Sequence, residues 1–102
     1  MSMERKMTKY MLDEIEMAEH YIRMAKSCKD QTVATKLHEM SKDELRHYDF
    51  LHTQLEKMHN ERLAAGESAE SVYKDSYDIF EQMYHQWEEK VAYEVNTFVF
   101  KK

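Results

Sequence analysis

The chain has no proline, a single glycine (Gly66) and a single cysteine (Cys28) in 102 residues. That composition disfavours tight-turned sheets and suits long, uninterrupted helices. One cysteine excludes an intrachain disulfide and a cysteine-based zinc framework. The longest apolar runs are a few residues, so neither a membrane span nor a signal peptide is expected, and the cytoplasm is the default compartment. Lysine and arginine are scattered rather than blocked, and acidic residues outnumber basic ones 20 to 15, a net charge of −5. A nucleic-acid partner is therefore not expected. No glycine-rich phosphate loop is present, nor a Ser/His/Asp or Cys/His arrangement that would support nucleophilic catalysis.

What the chain does have is helix-forming residues: Leu, Met, Glu, Lys and Ala supply much of it. Its nine methionines read as flexible core filler. The fold class is all-α, one domain over residues 1–102, with helices predicted at about 2–28, 31–64 and 69–99. Asp30 suits the N-cap of the second helix. The short link around Lys29 forces the first two helices into a long antiparallel hairpin. Gly66 suits a left-handed position closing the second helix, and Ser68 or Ser71 can cap the third. That third helix is apolar from Val72 and Tyr73 through Tyr77, Ile79 and Phe80 to Val95 and Phe98. One neighbour could not bury so broad a surface, which predicts a homodimer or higher homo-oligomer.

Two stripes carry the chemistry. Val33, Leu37, Met40, Glu44, His47, Leu51, Leu55 and Met58 recur at helical spacing, and Met3, Met7, Tyr10, Glu14, Met17, Tyr21, Met24 and Cys28 show the same rhythm. Each stripe carries charge at its centre, and a carboxylate on an apolar face is costly without a partner. Glu14 lies 15 residues before Lys29 and Glu44 lies 15 after it. In an antiparallel hairpin both then sit ~22 Å from the turn, side by side. His47 follows Glu44 one turn along. Two carboxylates and an imidazole suit iron or manganese, with zinc as a further option. A histidine ligand must be neutral, so metal affinity is expected to fall below about pH 6.

Spacing alone is weak evidence: among 14 glutamates and six histidines, roughly one Glu-x-x-His arises by chance. Glu56 and His59 repeat the spacing and read as surface. Glu81 and His85, beside Glu88 and Glu89, read as a solvated face that could hold a second metal. His38 and His52 read as exposed. The metal-free alternative pairs Glu14 with Arg46 or a lysine and makes His47 a hydrogen-bonded core residue.

Three segments, Glu14-Ile15-Glu16-Met17-Ala18-Glu19-His20-Tyr21, Cys28-Lys29-Asp30 and Lys42-Asp43-Glu44-Leu45-Arg46-His47, resemble the ferritin-like superfamily. The closest likeness is to its short half-ferritin branch, the encapsulated ferritins and rubrerythrin-like proteins, over about Met11 to Leu55. The resemblance implies two hairpins dimerising into a ferritin-like four-helix bundle. Each subunit would give Glu14, Glu44 and His47 to a shared di-iron centre, with Glu14 or Glu44 bridging. It further implies ferroxidase activity in iron storage or detoxification, Tyr21 near the site, Glu16 on an entry route, and an encapsulin shell as partner. The chain departs from those relatives at His20, where they carry an aromatic residue, in a longer third helix, and in lacking a glycine-containing docking tail. A non-catalytic metal-binding protein and a metal-free helical interaction module are the alternative functions.

Overall fold

The computed structural model describes residues 2–74 and 78–101, with backbone alone for 78–81. Its elements are α1 (Met3–Ser27), α2 (Gln31–Ala64), α3 (Ala69–Lys74) and α4 (Asp78–Thr97), and no strand occurs among the described residues. The first two helices match expectation closely. The third is described as α3 and α4, to either side of residues 75–77, and helix ends at Thr97. Tyr77, and the side chains of Ile79, Phe80 and Glu81, lie outside what is described.

The helix ends follow local chemistry. The Ser2 hydroxyl accepts from the Arg5 amide at 3.2 Å, and the Asp30 carboxylate accepts from the Val33 amide at 3.1 Å. Each satisfies a donor left free by the first turn. At the far end of α2, Gly66 takes φ +96°, its amide donates to Leu63 and the Glu67 amide to Arg62, at 3.0 and 3.2 Å. This paired closure needs a residue free to adopt positive φ, which the single glycine supplies. Of the two serines that could cap the third helix, Ser68 does so, accepting from the Ser71 amide at 3.1 Å.

With Cys28, Lys29 and Asp30 forming the turn, α1 and α2 run antiparallel, and Arg62 near the end of α2 reaches Glu4 near the start of α1 at 3.7 Å. The molecule is a rod 57 Å in its longest dimension. The 34 residues of α2 account for ~51 Å of that. On one flank of the hairpin lies α4. Trp87 Nε1 donates to Glu19 at 3.1 Å, Lys26 pairs with Glu94 at 3.6 Å, and His38 Nε2 bonds the Val95 carbonyl at 2.6 Å. These pairings set α4 parallel to α1 and antiparallel to α2. The third helical segment therefore covers the hairpin of its own chain.

The buried core corrects the expected faces. It is built from Met11, Ile15, Ala18, Ile22 and Ala25 of α1, Leu45, Tyr48 and Leu55 of α2, and Val91 and Val95 of α4. The stripe holding Glu14 is mostly open instead: Met3, Tyr10, Met17 and Met24 are 58, 56, 38 and 46 % exposed, and Val33 on α2 is 47 % exposed. Each long helix carries two apolar stripes about a quarter-turn apart. The aliphatic one with alanines meets its own chain closely, and the methionine and tyrosine stripe lies on the flank that α4 leaves uncovered. Leu55, wholly buried in this core, offers a check on it. Leu55→Ala is expected to lower unfolding free energy by about 2–5 kcal/mol in denaturant titration.

Candidate metal centre

Equal distance from the turn brings Glu14 of α1 level with Glu44 and His47 of α2. His47 Nδ1 lies 3.3 Å from Glu14 Oε2 and 3.8 Å from Glu44 Oε2. One donor atom from each residue falls within 4.8 Å of the other two, and no other set of three such residues does so among the described residues. Both glutamate side chains are 22 % exposed and the imidazole 58 %. The group thus sits half-sunk in the open methionine and tyrosine face, reachable from outside.

Arg46, the cation that could have claimed Glu14, turns along its own helix to Asp43. Glu14 is left facing the histidine and the second glutamate. Burial pushes the Glu44 carboxyl up to about 7, and a hydrogen bond with Glu14 and the charge of Glu14 push the same way, while His47 opposes them. Two carboxylates this close repel one another, and a divalent cation among the three donors would offset that repulsion. Carboxylate oxygen and imidazole nitrogen are the donors that iron, manganese and zinc accept. Three donors from one chain would fill only part of the coordination sphere of such an ion.

The remaining predicted positions divide. Tyr21 is half-buried on the same face, two turns along α1 from Glu14, and Glu16 is exposed. His59 is not surface as expected but 2 % exposed, edge-on to Tyr73 with ring centroids 4.9 Å apart, because α3 folds back over the end of α2. His38 is likewise not exposed, since α4 and Phe98 close over it. His52 is half-buried, stacked between Tyr48 and His85. Glu88, expected on a solvated face, is 9 % exposed, and burial followed by the charge of Asp49 pushes its carboxyl up. The signal for this second polar group was present as Asp49-x-x-His52 and His85-x-x-Glu88, spacings that place each pair on one helix face.

Comparison with protein-family models, curated proteins and solved structures finds no match.

Proposed function

We propose that this chain is a ferritin-like iron-binding protein whose open hairpin face pairs with that of a second copy. The observation that carries this reading is the convergence of Glu14, Glu44 and His47 within 4.8 Å at the centre of that face. A twofold axis through the face would set two such groups opposite each other. The two hairpins would then make a four-helix bundle, α4 of each chain lying outside it. Methionine and tyrosine side chains exposed in the single chain would become the bundle core, and their flexibility suits a joint between identical surfaces. A larger homo-oligomer could be built from such dimers.

Within that assembly the chemistry is Fe(II) oxidation. Glu14 and Glu44 hold iron by their oxygens and favour the higher charge of Fe(III), and His47 fixes the geometry as a neutral nitrogen donor. Two Fe(II) ions bound side by side can give two electrons to one dioxygen. With two protons taken up, the products are two Fe(III) and hydrogen peroxide. Iron here is the substrate, and storage or detoxification is the physiological class.

Adding Fe(II) to the aerobic protein is expected to consume oxygen much faster than the same iron in buffer, and Glu44→Ala to return the rate to that of buffer. Metal bound without oxygen consumption would instead identify a carrier, and no metal bound would leave a helical interaction module.

A further inference from the structure

Two thioethers flank the group of Glu14, Glu44 and His47 on its turnward side. Met17 lies three residues after Glu14, on the same stripe and about 4.5 Å along the helix axis. Met40 lies one turn before Glu44 on α2. Met17 stands twelve residues before Lys29 and Met40 eleven after it, so the two are level across the hairpin. Met24, Met3 and Met83 are farther off. Met24 and Met3 are ten and eleven residues from Glu14, about 15 Å or more along the axis, and Met83 is on α4, which covers the other flank. Exposure runs the opposite way. Met40 is half-buried and Met17 is 38 % exposed, against 46 % for Met24 and 58 % for both Met3 and Met83.

We propose, on the iron chemistry put forward above, that Met17 and Met40 are modification sites, each taking one oxygen atom from the hydrogen peroxide formed beside them, and that their oxidation loosens the paired assembly. A sulfur lone pair attacks one peroxide oxygen. The O–O bond breaks, an S–O bond forms, and the second oxygen leaves as water with both protons. The thioether is thereby oxidised by two electrons to the sulfoxide, and the peroxide is reduced by two. Iron held among Glu14, Glu44 and His47 polarises the O–O bond, so the attack is fastest beside it. A sulfoxide is polar where the thioether was apolar, and burying it between two copies costs free energy that the thioether does not. Sustained peroxide formation therefore opens the joint in which it occurs.

Peptide mass mapping of the full chain after two treatments separates the sources of oxidation. Hydrogen peroxide added to the metal-free protein should follow exposure, marking Met83 and Met3 before Met24, and Met17 and Met40 last. Repeated Fe(II) additions in air should reverse that order. Met17 sulfoxide should then be enriched severalfold in the monomer fraction on size-exclusion chromatography. Glu44→Ala, given the same Fe(II) and air, should lose the preference for Met17 and Met40. The same order under both treatments, or Met17 sulfoxide shared equally between dimer and monomer, would overturn the proposal, while oxygen consumption in the same samples would leave the iron reading standing. No oxygen consumption would remove the source of peroxide, and both readings with it.

Discussion

Met17→Lys together with Met24→Lys is expected to break the proposed dimer into monomers in size-exclusion chromatography. Both residues lie on the uncovered flank of α1, 38 and 46 % exposed, and outside the aliphatic core of the chain. The single-chain fold should therefore survive, with helix content unchanged by circular dichroism. In the proposed pairing the same positions would face a second copy, and a twofold would repeat each new charge. Burying several unpaired ammonium groups costs several kcal/mol at least, more than a modest interface can absorb. With each chain supplying half of the proposed shared ligand set, oxygen consumption with Fe(II) should fall with the dimer. A variant that remains dimeric, or a monomer that oxidises Fe(II) at the full rate, would place the subunit contact or the chemistry elsewhere.

A second large effect is expected from pH. The Glu44 carboxyl, held up to about 7 against its ordinary 4.5 by burial and by Glu14, is protonated in the metal-free chain in mildly acidic solution. The folded state then binds more protons than the unfolded one between those values. Its contribution to stability is present at low pH and is lost as pH rises toward 7 and beyond. A metal must displace that proton, so the sign reverses on loading. Thermal stabilisation by Mn(II), a redox-quiet stand-in for iron, should thus grow steadily from pH 5 to pH 8, with the decline setting in below about 7. That is higher than a histidine ligand alone predicts. Glu44→Gln should flatten the pH dependence of the metal-free protein. Equal stabilisation at both ends of the range would remove Glu44 from the ligand set.

The convergence of Glu14, Glu44 and His47 was legible in the sequence because helical geometry is so regular. Once Asp30 caps α2 and the turn is fixed at Lys29, equal counting along both arms puts Glu14 beside Glu44, and His47 follows by one turn. Which apolar stripe the chain would keep for itself was not legible. Ile15, Ala18 and Ile22 recur at helical spacing just as Tyr10, Met17 and Tyr21 do, and periodicity cannot say which stripe meets α4. Small and branched side chains let two helices approach closely, and α4 takes that side. The same flank explains the other misread residues. His38 and Glu88 are polar on α2 and α4, but where those helices touch, polarity does not keep a side chain at the surface. His59 is covered by the short α3, whose return path depends on the closure at Gly66. Each error arose where a contact between distant segments overrode local pattern.

The central claim is that Glu14, Glu44 and His47 hold metal at a site shared by two copies. Metal content per chain tests it most directly, measured by elemental analysis on size-exclusion fractions of wild type and Glu44→Ala after Fe(II) loading. The account predicts about one iron per chain in a dimer or larger assembly of the wild type, as three donors from each copy require, and its loss in the variant with the assembly retained. Iron-free wild type, or the same iron content in Glu44→Ala, would contradict it.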